Sequence, residues 1–323
     1  MKFLFAIALA TAHGLLIRLL FGSASGLMEI MSVTFLFFVP SIIGFLTVIL
    51  MPARKITTGA EAFFTPWLTS LALLVITILL NMEGAICWLM AFPIFAIAAG
   101  VGGIVAYWLR KPKSNDPNAN NWQKPNTLNV SLVFIVPLLL GSIEGEKALT
   151  PKQMVIEKAV VLNAPAADVW QKLISNKQLG QPADETSFAA LLGFPKHVST
   201  TLDTLRVGGT RMAYYEKGLY FKETVTKYQP ERLLVLRVDA NPNATPAAVM
   251  DEHILIGGKH LDILEDVYDL RPLPGGRTRL VLSSRFYINT PFNWYAGIWA
   301  HYLMTDILEG ELNVLAQPAP MTR

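Results

Sequence analysis

The sequence is short of cysteine and of charge. One cysteine, Cys87, in 323 residues excludes a disulfide framework within the chain and any zinc site built from cysteines. Charged residues make up 16%, against about 25% in an ordinary soluble domain, while hydrophobic residues reach 52%. The deficit is local. Residues 1–150 hold 9 of the 27 Lys/Arg and 6 of the 24 Asp/Glu, and the rest of the chain holds 18 of each. The net charge of +3 therefore lies in the first part. A balanced second part gives no footing for nucleic acid, which calls for Lys and Arg gathered on one element. A Gly-rich phosphate loop, a serine nucleophile elbow and a dinucleotide fingerprint are missing too. No cofactor is implied.

What the first part has is length of apolar sequence. Crossing a bilayer in a helix takes roughly 20 apolar residues. Residues 3–22, 28–50, 62–81 and 85–109 reach that length, and residues 127–143 sit at its lower limit. Pro40, Pro93 and Pro137 lie inside such runs, which neighbouring helices tolerate by satisfying the freed carbonyls. The reading is a transmembrane bundle of five spans over 1–145. A secretory signal ending near Ala12 is the alternative for the N-terminus; the apolar run continues through Leu20, which favours an uncleaved span. Lys2, Arg54, Lys55, Arg110, Lys111, Lys113 and Lys124 fall in alternate connections, which puts those on the cytoplasmic side. Five spans then make a multi-pass integral membrane protein with its C-terminal part outside the cytoplasm; if 127–143 does not cross, that part lies inside. Arg18, near the end of its span, can snorkel, and His13 is read as a neutral imidazole bonded to a neighbouring helix. Glu61 and Glu83 flank the third span.

Beyond Gly145 the pattern turns to short alternating runs. A strand over 154–162 is followed by a helix from about Pro165 to Ser175, where proline suits the first turn. A second short helix is expected over 185–192. Strands follow at about 197–206, 210–216, 219–228, 232–239, 251–256, 261–271 and 277–288, separated by Gly, Pro and Asn turns. Leu280, Leu282, Ser284, Phe286 and Ile288 share one face of the last. A long helix over 291–315 closes the chain with a stripe of Tyr295, Ile298, Tyr302, Thr305, Leu308, Leu312 and Leu315, widened by Trp299 and Leu303.

The opening strand with Asn163-Ala164-Pro165 and Val169-Trp170, then Val207-Gly208-Gly209, Gly218-Leu219-Tyr220-Phe221-Lys222-Glu223 and Tyr268-Asp269-Leu270, resemble the START-like superfamily. That group comprises the SRPBCC, polyketide cyclase/dehydrase and lipid-transport domains. The resemblance covers about 153–317, and the membrane part resembles nothing comparable. It implies an α+β helix-grip domain, an antiparallel sheet curved around the C-terminal helix with a cavity between them. The implied ligand is a lipid or hydrophobic small molecule, at or near a lipid bilayer. Tyr214, Phe221, Glu223, Tyr268, Arg285, Phe286, Trp299 and Tyr302 are the expected lining; an interior packed solid by these residues is the alternative.

An enzyme of cyclase or dehydratase type would need an acid/base pair in that space. Glu223, His253, His260, Asp266, Arg211 and Arg285 are the candidates. Glu223 leads, because it shares strand parity with Phe221 and Val225, and Arg285 or Arg211 could pair with it. The alternative is a plain salt bridge between strands. His253 and His260 lack the ligand spacing of a metal site, so no metal is expected.

Overall fold

The computed structural model describes residues 2–23, 31–80, 82–110, 127–144, 149–174, 187–242 and 254–316. It divides into two compact units, Met1–Thr150 with Thr290–Phe292, and Pro151–Asn289 with Asn293–Arg323.

The first unit is helical: α1 (Lys2–Ser23), α2 (Val39–Leu50, entered through a π-helical turn at Thr34–Phe38), α3 (Gly59–Leu79), α4 (Ala85–Arg110) and α5 (Thr127–Glu144). Lys2–Ser23, Gly59–Leu79 and Ile86–Arg110 are long and apolar enough to cross a membrane, by length and composition. Thr34–Leu50 and Leu132–Glu144 are shorter apolar helices, so the expected spans at 28–50 and 127–143 have less helix behind them than the other three. Large apolar side chains face outward along the unit, among them Leu4, Leu16, Phe64, Leu71, Ile97 and Val101.

Helix ends in this unit are closed by side chains, which satisfy backbone groups that have no partner within the helix. Thr58 and Glu61 form a reciprocal capping box at the start of α3. Arg110 donates to the Val48 and Met51 carbonyls at 2.5 and 2.7 Å, covering the end of α2. The Glu144 carboxylate accepts from the Val33 and Thr34 amides at 2.6 and 2.8 Å. Two expectations need correcting. Arg18 does not snorkel; it is buried, pairs with Glu83 and donates to the Met82 carbonyl at 3.3 Å. His13 is buried with both ring nitrogens unpartnered, and its edge meets the Phe134 ring at 4.5 Å between centroids rather than a hydrogen-bonding neighbour.

Glycine sets how closely these helices approach. A Cβ on Gly44 would lie 1.8 Å from the Ala99 carbonyl oxygen, and one on Gly102 1.8 Å from that of Ser41, so α2 and α4 meet backbone to backbone. Adjacent Gly103 brings α4 against α3, where a Cβ would come within 2.1 Å of the Ala62 oxygen. Gly102→Ala is expected to cost about 1–3 kcal/mol by forcing the backbones apart. Gly59→Ala, with nothing within 4 Å of the added carbon, should leave stability nearly unchanged. Thermal unfolding of the full chain in detergent compares the two.

The second unit opens with β1 (Pro151–Leu162), α6 (Ala166–Ile174) and the single turn α7 (Phe188–Leu191). A meander follows: β2 (His197–Leu202), β3 (Thr210–Tyr215), β4 (Tyr220–Gln229), β5 (Leu233–Ala240), β6 (Leu261–Leu273) and β7 (Arg277–Asn289), then α8 (Asn293–Ala316). All seven strands form one antiparallel sheet in the order β1-β7-β6-β5-β4-β3-β2. The first and last strands are therefore neighbours, with Pro151 opposite Asn289 and Leu162 opposite Thr278. Residues 254–256 contribute only a bridge from Ile256 to Leu261, and the rest of the strand expected at 251–256 lies outside the described residues.

Sheet alternation decides the core. Leu280, Leu282, Ser284, Phe286 and Ile288 are all buried on one face of β7, joined by Leu234, Leu236 and Leu270. Val169, Trp170 and Leu173 of α6 and Leu308, Leu312 and Leu315 of α8 complete the cluster. The seven-stranded sheet with a long C-terminal helix packed on it is a helix-grip-like arrangement. The first half of α8 corrects part of the expected stripe: Ile298 and Tyr302 are 63% and 52% exposed, while Leu303, expected to widen it, is buried together with Gly297 and Met304. A Cβ on Gly297 would sit 3.7 and 3.8 Å from Ile288 and Met154, in ordinary van der Waals contact, so this position faces the sheet.

Candidate functional site

On the inner face of β3, alternation places Arg211, Ala213 and Tyr215 together, with Tyr214 on the opposite face. On β4 the inward set is Phe221, Glu223 and Val225. Arg211 stands directly across from Glu223 in the β3–β4 register, and the two form a salt bridge through Arg211 Nε and Glu223 Oε2. Both side chains are nearly sealed, 9% and 4% exposed. Arg211 Nη2 also donates to the Tyr268 hydroxyl at 3.1 Å, with its guanidinium 5.3 Å from the centre of that ring. The Tyr268 hydroxyl in turn donates to Glu311 of α8. One hydrogen-bonded chain, Glu223–Arg211–Tyr268–Glu311, thus runs from β4 across the sheet to the helix.

The surroundings show how tightly these charges sense one another. Burial works to lower the Arg211 pKa, but Glu223, Tyr268 and Glu311 outweigh it and hold the value well above the usual range. Desolvation drives the Tyr215 and Tyr268 phenols well above theirs, with carboxylates nearby adding to the effect. Asp266 faces the same space from β6, paired in register with Leu236 and Ser284. Burial, then the Glu223 carboxylate, pushes it up to about 7. His197 of β2, whose Nε2 lies 2.7 Å from the Thr200 hydroxyl, is lowered to about 4 by burial and then by Arg211. The imidazole is therefore neutral at pH 7. The Ser284 hydroxyl, opposite Asp266 in the register, donates to its carboxylate and lowers its pKa against the effect of burial; Thr305 Oγ1 is buried without a hydrogen bond among the described residues.

The expected lining residues do not all meet here. Phe221, Glu223, Tyr268 and Phe286 are buried on the inner face. Arg285 points to the other face of β7 and lies 3.5 Å from Glu265, so Arg211 alone partners Glu223. Tyr214 is 39% exposed. Tyr302 packs its ring against Phe188 on the outer side of α8, and Trp299 is half-buried on the same helix. His260 is anchored to the Asn289 carbonyl through Nδ1 at 3.0 Å, and His253 lies outside the described residues. No group of three or more His, Cys, Asp or Glu among the described residues is placed to hold a metal.

Three members of the cluster escaped the sequence reading. Tyr215 is signalled by the parity that pairs Arg211 with the inner face. Glu311 sits one turn from Leu308 and beside Leu312, an acid on the flank of the buried stripe. His197, at the start of an edge strand, has no comparable signal.

No family model and no curated protein sequence matches the chain. Solved structures do, over the C-terminal half. A START superfamily protein from Mycobacterium smegmatis is 14% identical, over 50% of this chain and 94% of that one, with a TM-score of 0.33. A truncated norcoclaurine synthase from Thalictrum flavum is 13% identical, over 54% and 98%, with a TM-score of 0.33. A protein from Arthrobacter aurescens is 19% identical, over 51% and 87%, again with a TM-score of 0.33. The N-terminal half is not matched. The architecture described above rests on the strand order and the helix of this chain itself.

Arg211→Met leaves Glu223 buried and unpaired, a loss of about 3–5 kcal/mol. Arg211→Met with Glu223→Met removes both charges and should recover most of it, as a double-mutant cycle by chemical denaturation measures. Asp266 gives a pH signature. Its carboxyl titrates near 3.8 in the unfolded chain and near 7 in the folded one, so its contribution is full below the first value and is lost as pH rises through the second. Asp266→Asn should therefore gain stability over the wild type between about pH 5 and about pH 8, read from unfolding midpoints. His197, depressed to about 4 from 6.5, has the opposite slope, losing stability as pH falls through that interval.

Proposed function

We propose that the second unit, over about 153–317, binds a hydrophobic small molecule or lipid between its sheet and α8, for transfer or sensing. The helices of 1–145 are its multi-pass anchor in a lipid bilayer. The observation that carries the reading is the Glu223–Arg211–Tyr268–Glu311 chain, together with Asp266 and Ser284 beside it, on an inner face otherwise lined by apolar residues. Stability alone does not call for such a network, since well-packed apolar residues serve a core as well or better than a buried ion pair. Polar groups in an apolar enclosure are what orient an amphipathic ligand.

The outward apolar side chains of α1, α3 and α4 support the anchor, as do basic residues gathered at one set of helix ends: Lys2 opening α1, Arg54 and Lys55 between α2 and α3, and Arg110 closing α4. With α5 crossing, the C-terminal unit is extracytoplasmic. The combination has a physical use. Exposing a chain of about 15 methylenes to water costs about 12 kcal/mol, and an apolar enclosure held beside the bilayer reduces that penalty while raising the local concentration of binding sites.

A second reading, an enzyme acting on such a molecule, is favoured by Asp266, whose carboxyl at about 7 is matched to acid/base work. Glu223 suits that role less, because its carboxylate is occupied by Arg211. The deciding experiment is organic extraction and mass spectrometry of the full chain purified from membranes in mild detergent. A hydrophobic compound should be recovered in near-stoichiometric amount. Empty protein that also takes up no fluorescent lipid from vesicles removes the binding reading.

A further inference from the structure

The first half of α8 has two apolar sides, and the sheet covers one of them. Gly297, Leu303 and Met304 are buried, whereas Trp294, Ile298 and Tyr302 are exposed. Spaced four apart, these three share one face of the helix. Neighbouring α7 widens that face. The Phe188 ring meets Tyr302 at 5.1 Å between centroids, and Leu191, three residues along the same turn, is 79% exposed. A helix that is apolar all round belongs in an interior, so the outward side calls for a cover of its own. The second half of α8 differs, with Glu309 and Asn313 turned to the outside.

Residue type points to what covers the face. From Phe286 to Thr305 the sequence has no Asp, Glu, Lys or Arg. The stretch therefore offers a protein partner no ion pair, and docking on lipid would strip water from no charged side chain of it. Trp294 and Tyr302 each join a broad apolar ring to a polar tip, the combination that favours the boundary between bilayer and water.

The length of the connecting chain keeps the face within reach of that boundary. The Glu144 carboxylate, which ends α5, accepts from the Val33 and Thr34 amides at the entry to α2, so the chain leaves the helical unit at a level where helices end. Six residues separate Glu144 from Pro151 of β1, a span of at most about 25 Å. Pro151 is paired with Asn289, and the Thr150 hydroxyl donates to the Thr290 carbonyl at 3.2 Å. Trp294 follows four residues after Thr290.

Resting on the membrane-anchor reading above, we propose that the start of α8, with α7, docks on the lipid bilayer. Trp294, Ile298, Tyr302 and Leu191 enter the interfacial layer of the leaflet at which α5 ends, and the helix lies in its plane. The helix that forms one wall of the proposed binding site then touches the lipid in which a hydrophobic ligand is dissolved.

The test uses the full chain with Cys87→Ala, folding checked by thermal unfolding, in phosphatidylcholine vesicles. One nitroxide label at a time is attached at Trp294→Cys, Ile298→Cys, Asn313→Cys or, on α3, Leu71→Cys. Oxygen concentrates in the bilayer and a nickel chelate in water, and electron paramagnetic resonance reads the ratio of their collisions with each label. The ratio at 294 and 298 is expected to exceed that at 313 severalfold and to approach that at 71. A ratio at 294 and 298 no higher than at 313, with a lipid-like label at 71, overturns the docking and leaves the anchor standing. Labels at 294 and 298 shielded from both reagents mark a contact with a second copy, revealed by spectra that sharpen on dilution with unlabelled chain, and overturn the docking too. A water-like label at 71 overturns the anchor reading itself.

Discussion

A single guanidinium organises the second unit. Arg211 reaches Glu223 on the neighbouring strand and, through Tyr268, Glu311 on the C-terminal helix. Each of these groups would be expensive to bury by itself, and each is tolerated because the others satisfy it. The geometry follows: β3 and β4 must keep the register that sets residue 211 opposite 223, and α8 must lie where Glu311 meets the Tyr268 hydroxyl. An apolar contact between helix and sheet fixes burial but not position along the surface. A hydrogen-bonded link between them fixes both.

The first unit meets a different constraint with similar means. Close backbone contact and satisfied polar groups join its helices. Gly44 and Gly102 provide the contact between α2 and α4, and Gly103 that between α4 and α3. The Thr47 and Thr69 hydroxyls, 2.9 Å apart, tie α2 to α3, and Arg18 and Glu83 neutralise one another. Arg110 and Glu144 act as caps on neighbouring helix ends.

Much of the architecture was legible in the residues, because period and punctuation are local. The helices over 3–22, 62–81 and 85–109 and the strands at 210–216, 219–228, 232–239 and 277–288 all appear within a few residues of where apolar runs and turn residues put them. The inward direction of Glu223 follows from its parity with Phe221 and Val225. What was not legible depends on contacts distant in sequence. Tyr295, Ile298 and Tyr302 make as good a helical stripe as the one the sheet selects, and nothing local to the helix chooses between them. The choice between Arg285 and Arg211 as partner for Glu223 required knowing which strand lies beside β4. Tyr214, expected in the lining, has the outward parity of β3, whereas Tyr215 shares the inward parity of Arg211.

The pairing of β1 with β7 bears on how the protein is made. Pro151 finds its partner Asn289 only after the intervening strands have been synthesised. At roughly 5–20 residues per second, that leaves β1 without its neighbour for several seconds or more. Throughout this interval the ribosome is still engaged, while α1 to α5 have already emerged. The last strand joins a sheet whose first strand left the exit tunnel long before, so a stalled or truncated chain ending before residue 277 would leave β1 unpaired along both edges, ready to pair with another copy.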